Sequence, residues 1–155
     1  MVFETLGFVR QEMQSPEGGF YSALDADSVR PDKPAEHAEG AYYLWHESEL
    51  KDLLSVAEFS MVKSYFNIEE NGNIFSDPQN EFTDLNILYI DDEYRTRSLT
   101  GQKNDLLQSA RKKLNKQRRL RPRPHLDDKV ITAWNGMMFA AFAKAYQSIS
   151  FGCTV

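Results

Sequence analysis

The sequence predicts a mainly α-helical chain carrying short β-hairpin insertions. Three observations predict it. Apolar residues recur at helical spacing through most of the chain. The extended, aromatic-rich stretches are only about five residues long. Clusters of glycine and proline cut the chain between these segments.

Each element follows from local pattern. Val2, Phe3, Leu6, Val9 and Met13 predict an amphipathic helix over residues 2–14, ended by Ser15-Pro16-Glu17-Gly18-Gly19. Residues 20–24 read as extended. Residues 25–40 are polar, contain two prolines, and read as a loop. Residues 41–45, Ala-Tyr-Tyr-Leu-Trp, read as a strand that pairs with residues 20–24 in a long-looped hairpin. Helices are expected over residues 47–54 and 57–66, the second burying Phe59, Val62, Tyr65 and Phe66. Asn71-Gly72 and Asp77-Pro78 mark turns before the short apolar run 87–90. Residues 91–120 carry a helical pattern with a break near Thr100-Gly101. Leu106, Leu107, Ala110 and Leu114 share one face of its second half. Arg121-Pro122-Arg123-Pro124 stops that helix, because proline lacks the amide proton and restrains its neighbour. Residues 129–149 form a helix apolar on most sides. Such a helix is either the inner helix of a large helical assembly or one that has lost its neighbours.

Composition bounds the rest. The 155 residues are 41% hydrophobic and 26% charged, with a mean hydropathy of −0.55, as in ordinary soluble globular chains. At this length one domain is the default. The single cysteine, Cys153, excludes a disulfide framework and the usual cysteine-based zinc sites. No apolar run approaches the ~18–20 residues that span a bilayer. No basic segment followed by an apolar core opens the chain, so a cytoplasmic setting is expected. The net charge of −5 hides an asymmetry. Residues 1–92 hold 19 acidic and 5 basic side chains; residues 93–155 hold 4 and 13. Eight of the 18 basic residues lie between Arg111 and Arg123. The two halves can attract one another within the fold, or the basic half can meet a polyanion.

Three clusters carry chemistry. In residues 18–28, GGFYSALDADS, two glycines allow close backbone approach, and Asp25 and Asp27 offer an acid, a base or cation ligands at a cleft. The plainer reading is a turn whose aspartates accept backbone amides, and local sequence favours it. In residues 39–45, EGAYYLW, tyrosine and tryptophan rings suit stacking on sugars or bases. Strand alternation would put Tyr43 and Trp45 on one face, and Tyr42 and Leu44 on the other, with one pair in the core. Residues 121–136 are the most informative. A proline-rich loop delivers His125, Asp127, Asp128 and Lys129 to the start of the apolar helix, which then carries Trp134, Asn135 and Gly136. A cap on that helix accounts for Asp127 or Asp128 and leaves the other residues unexplained. A close helix–helix contact would explain Gly136, and a ligand-facing side chain would explain Asn135. No phosphate-binding glycine loop and no nucleophile elbow occur, and His125 has no second histidine nearby. No metal and no cofactor are expected.

The order of these motifs resembles that of a known family. GGFYSALDADS, then EGAYYLW, a Gly72-Asn73 turn, an Asp77-Pro78 loop, and finally HLDDK with TAWNG resemble the YyaL family of thioredoxin-domain-containing proteins, which includes the spermatogenesis-associated protein 20 type. The resemblance runs from about Pro16 to Tyr146. It implies a parent of several hundred residues, with a thioredoxin-like domain followed by an (α/α)6 toroid of the six-hairpin glycosidase type. That toroid is similar to those of N-acylglucosamine and cellobiose epimerases. Residues 1–150 would be a middle section of the toroid, and residues 151–155 depart from the pattern. The thioredoxin-like domain lies outside this sequence, so no redox activity is carried over.

By resemblance, a cleft at one end of the toroid would draw catalytic groups from Asp25, Asp27, His125, Asp127 and Asp128. Tyr21, Tyr43, Trp45, Lys129, Trp134 and Asn135 would bind a carbohydrate or another small polar substrate. A glycosidase needs two carboxylates roughly 5–9.5 Å apart. An epimerase needs an acid–base pair, often histidine, and only His125 is suitably placed. Two alternatives stand beside a carbohydrate-active toroid: a non-catalytic scaffold module, and polyanion binding through Arg111 to Arg123. The basic side chains spread around several helix faces, which suits a solvated outer helix better than a nucleic-acid site.

Overall fold

A computed structural model of the chain describes residues 2–77, 81–91 and 99–151. Two units divide it. One is the continuous stretch Ala26–Pro124; the other combines Met1–Asp25 with His125–Val155. In chain order the elements are α1 (Val2–Phe8), continued by a π turn over Val9–Met13; β1 (Ala23–Leu24); β2 (Asp27–Val29); β3 (His37–Glu39); a 3-10 turn over Ala41–Tyr43; β4 (Trp45–His46); α2 (Glu47–Leu53); α3 (Val56–Tyr65); β5 (Leu85–Asn86); α4 (Gln102–Arg118); β6 (Leu126–Asp127); and α5 (Thr132–Phe151). The chain is mainly α, and its strands are two or three residues long.

In the continuous unit, helical pattern and structure agree. Ser55 and Glu58 start α3 with a reciprocal capping box. The Ser55 hydroxyl accepts from the Glu58 amide at 3.3 Å, and the Glu58 carboxylate accepts from the Ser55 amide at 2.8 Å. Val62 and Phe66 point into a core with Trp45, Leu50, Leu54 and Ile68. Leu107, Ala110 and Leu114, spaced at i, i+3 and i+7 on α4, close it from the other side. Phe59 and Tyr65 are partly buried against the same cluster. Residues 92–98 of the expected 91–120 helix, and Pro78 of the Asp77-Pro78 turn, lie outside the described residues. Asp77 itself accepts from the amides of Glu81 and Phe82.

The strand pairing differs from expectation. The predicted hairpin between residues 20–24 and 41–45 does not form. Instead β2 pairs with β3, making a hairpin inside the segment read as a loop. Only Trp45 and His46 of the aromatic stretch are strand, and they pair with β5. Gly40 has φ = 73°, a left-handed conformation that turns the chain into the 3-10 turn at Ala41. The period of two expected for residues 41–45 is therefore lost. Tyr42, Leu44 and Trp45 are all buried, and Tyr43 alone is exposed. The apolar run 87–90 lies after β5 and carries no strand of its own.

In the unit made from the chain ends, the Phe20 ring stacks on Phe142 at 5.5 Å and tilts against Phe139 at 5.8 Å. Much of α5 is uncovered: Trp134, Met137, Phe139 and Tyr146 are each more than half exposed. Of the two readings of this apolar helix, the one without neighbours describes it. Of the apolar face expected over residues 2–14, Val2 and Phe3 are exposed, and Leu6, Val9 and Met13 are half-buried.

A buried carboxylate ties α3 to α4. Glu58 accepts from Lys113 Nζ at 2.6 Å and from the Ser109 hydroxyl at 2.7 Å. The Lys113 ammonium, then the Ser109 hydroxyl, pull its pKa down to about 2. A carboxylate depressed on folding stabilises the native state above the unfolded-chain value of 4.5 and loses that contribution as pH falls toward about 2. Glu58→Gln should cost about 2 kcal/mol at pH 7, a figure reduced for the partly exposed lysine. It should also flatten the decline of stability between about pH 5 and pH 2, measured by urea unfolding across that range.

Candidate functional site

The candidate site is assembled by backbone hydrogen bonds between segments some hundred residues apart. β1 and β6 pair antiparallel, with Ala23 opposite Asp127 and Leu24 opposite Leu126. At one end of this ladder the Asp25 amide donates to the His125 carbonyl at 2.7 Å. At the other, the Ser22 amide and hydroxyl both donate to the Asp127 carbonyl, at 3.2 and 3.1 Å. Asp25 is thereby set beside His125, with Asp127, Asp128 and Lys129 next along the partner strand. Upstream, the turn from Ser15 to Gly19 folds the chain back so that Tyr21 donates to the Met13 carbonyl. A Cβ at Gly19 would lie 3.0 Å from a Val130 methyl, so glycine permits the close approach of this segment to the chain leading into α5.

The side chains occupy distinct settings. The Asp127 carboxylate takes the Lys129 ammonium at 3.1 Å and the Lys129 amide at 3.3 Å. It closes a local turn five residues before α5 begins, so it does not cap that helix. The Lys129 ammonium, then the Ser22 hydroxyl, hold the Asp127 pKa below the usual carboxylate range. Asp127 is ionised at neutral pH, and its lowered basicity suits a nucleophile or a cation partner better than a general base. Asp25, His125, Asp128 and Lys129 are exposed, and Tyr21 is half-buried. Trp134 presents about half its surface from the first turn of α5.

Asn135 does not face a ligand. It is buried, its Oδ1 accepts from the Phe20 amide at 2.7 Å, and its Nδ2 donates to the carbonyls of Phe20 and Ile131 at 2.9 and 3.1 Å. Nor does Gly136 mark a close helix contact, since a Cβ there would meet nothing within 4 Å.

The remaining predicted residues belong to the continuous unit. Asp27 opens β2 opposite Glu39 and is exposed; the chain passes from one unit to the other between Asp25 and Asp27. Tyr43 is 41% exposed, edge-on to Tyr42 at 5.0 Å, with the Arg118 guanidinium 5.2 Å from its ring centre. Trp45 is 1% exposed and lies in the core. The two rings expected on one face thus differ: Tyr43 is offered to solvent and Trp45 is not. Among the described residues, no group of three or more histidine, cysteine or acidic side chains is placed to hold a metal ion.

Sequence reasoning missed the part played by Arg121, which it read only as a helix stop within a basic run. Arg121 donates to the carbonyls of Tyr42 and Leu44 at 2.9 and 2.7 Å, and grips both oxygens of Glu49 at 3.0 and 2.8 Å. Its guanidinium lies 4.1 Å from the Trp45 ring centre. The charge asymmetry was the available signal: Arg121 with Glu49, and Lys113 with Glu58, join the basic half to the acidic half. Part of the run from Arg111 to Arg123 is therefore engaged within its own unit. Only a planar, forked cation makes all the Arg121 contacts. Arg121→Lys should lower stability by about 2 kcal/mol, whereas Lys112→Gln on the exposed side of α4 should change it by less than about 0.5 kcal/mol. Thermal unfolding of the two variants side by side checks the difference.

No family model matches the chain. It is 36% identical over 152 residues to an uncharacterized protein of Caenorhabditis elegans, a match covering 89% of this chain and 21% of that protein. It is 34% identical over 157 residues to human spermatogenesis-associated protein 20, covering 89% of this chain and 20% of the human protein. The mouse protein of the same name is 34% identical over 154 residues, with 89% and 19% covered. The chain spans about a fifth of the length of these relatives.

Proposed function

This chain belongs to the spermatogenesis-associated protein 20 family, and from that premise we propose that it is a section of an (α/α)6 toroid whose cleft binds and converts a carbohydrate. Asp25, His125, Asp127 and Asp128 line the catalytic edge of that cleft. Tyr21 and Trp134 offer ring faces to the sugar, and Lys129 offers a donor to its hydroxyls. Asn135 acts as a support, holding the Phe20 backbone. Asp127, held ionised by Lys129, is the nucleophile, and the proton donor comes from the exposed groups around it. Cytoplasmic residence and a covalently attached thioredoxin-like domain complete the proposal for the whole protein. No helix among the described residues is long and apolar enough to cross a membrane.

The observation that carries this reading is the β1–β6 ladder. It draws a glycine-rich acidic segment and a His-x-Asp-Asp-Lys segment, separated by about a hundred residues, into one place. The arrangement suits acid–base work on a polar substrate, because carboxylates, an imidazole and an exposed tryptophan share one short stretch of surface chain. A scaffold role is the second reading, favoured by the uncovered apolar side chains of α1 and α5.

Both readings are tested in a full-length family member carrying this segment. Asp127→Asn combined with Asp128→Asn should weaken binding of mono- and disaccharides at least tenfold, measured by saturation-transfer NMR and titration calorimetry. Affinity for a neutral sugar should barely respond to added salt. Unchanged affinity in the double variant rejects this cleft. Absence of any sugar binding by the unmodified protein favours the scaffold.

A further inference from the structure

We infer that Asn135 is a positioning residue, whose amide pairs with both backbone groups of Phe20 and thereby sets the register of the β1–β6 ladder that places Asp25 and Asp127. The inference rests on the site described under Proposed function, but its test needs no sugar.

The physical problem is the length of the ladder. β1 and β6 contribute two residues each. So short a pairing does not hold its register unaided. A slip of one residue would send the Asp127 side chain to the opposite face, because alternate residues of a strand point to opposite sides. It would also move Asp25 away from the His125 carbonyl. Something outside the ladder must fix it.

Asn135 does so from α5. The Phe20 amide can only donate and the Phe20 carbonyl can only accept, so the orientation of the Asn135 amide is determined: Oδ1 to the amide, Nδ2 to the carbonyl. The second Nδ2 bond, to the Ile131 carbonyl, ties the clip to the helix itself. The side chain is buried and both of its N–H groups are engaged, which leaves it no donor for a substrate. The Phe20 ring rests on Phe142 and Phe139, so its backbone and ring are held by one helix. Ring packing alone would tolerate sliding, whereas a two-point hydrogen bond fixes direction as well as place. From this fixed point the chain reaches Ser22, whose amide and hydroxyl both grip the Asp127 carbonyl, and then Ala23 opposite Asp127.

The test separates register from simple stability. Asn135→Leu removes the clip while keeping the branched shape and the number of side-chain heavy atoms. Phe142→Leu trims the packing on the same phenylalanine and leaves the clip intact. With urea unfolding used to compare the two at equal stability, amide exchange at Ser22 and Asp25 in this chain should be at least tenfold faster in Asn135→Leu than in Phe142→Leu. Carbon-detected NMR titration of Asp127 should move upward in the first variant, as the Ser22 contribution is lost while the Lys129 pair stays, and stay in place in the second. Equal exchange in both variants, with the Asp127 titration unmoved, would reduce Asn135 to a fold-stabilising residue and overturn the inference. Where Asn135→Leu does not fold, Asn135→Asp, which keeps the acceptor for the Phe20 amide and loses both donors, enters the same comparison with the same expected and overturning results. A wild-type protein that binds no sugar but shows the register signature retains the positioning role and loses the substrate reading.

Discussion

Buried asparagine amides do in this chain what longer strands do elsewhere. A ladder of two or three residues is too short to hold its own register in water. Three asparagines compensate, each pairing its side-chain amide with both backbone groups of one distant residue. Asn135 takes Phe20; Asn86 takes Glu69, with 2.8 and 3.0 Å bonds; Asn73 takes Ile87, with 2.8 and 2.9 Å bonds. All three are buried. An amide side chain reproduces the donor and acceptor of a peptide group, so each clip acts as one more residue of ladder supplied from another element. The Asn135 contact flanks the β1–β6 pairing, and the Asn86 and Asn73 contacts flank the β4–β5 pairing.

Charge holds the continuous unit in a complementary way. Glu58 joins α3 to α4, Glu47 gathers Lys51 and Lys63, and Arg121 seals Trp45 while engaging Glu49. In each case a carboxylate from the acidic half is satisfied at the edge of the apolar cluster, where losing one partner would strand a buried charge. The ends unit uses charge differently. There the Asp127–Lys129 ion pair sits at the surface and bears on the ionisation of a candidate site residue rather than on the packing. Where a cation sits thus separates a structural role from a chemical one.

Much of the helical fold was legible in the sequence. The segments 47–54 and 57–66 anticipated α2 and α3 to within a residue, and Leu107, Ala110 and Leu114 form the face their spacing implied. Strand partners were not legible, because two residues carry no measurable period and their partners lie far along the chain. The aromatic stretch misled for a local reason: the left-handed Gly40 replaced an alternating strand with a 3-10 turn and sent Trp45 into the core. At the candidate site the sequence did not show which of its marked residues meet. Asn135 stood out as a polar residue in an apolar helix, but its partner lies 115 residues away. Arg121 was hidden because a proline-flanked arginine in a basic run looks solvated until Trp45 and Glu49 are seen beneath it.

The division into one continuous unit and one built from both chain ends carries a consequence for the order of folding. Every contact inside Ala26–Pro124 closes a loop within that stretch, so the unit can form as soon as it has been synthesised. The other unit must wait for α5, since Phe20 has neither its ring partners nor its amide clip until Asn135, Phe139 and Phe142 exist. Closing so long a loop costs conformational entropy before any contact rewards it. While residues 26–124 are being made, Phe20 therefore stays open to whatever first offers it an apolar surface.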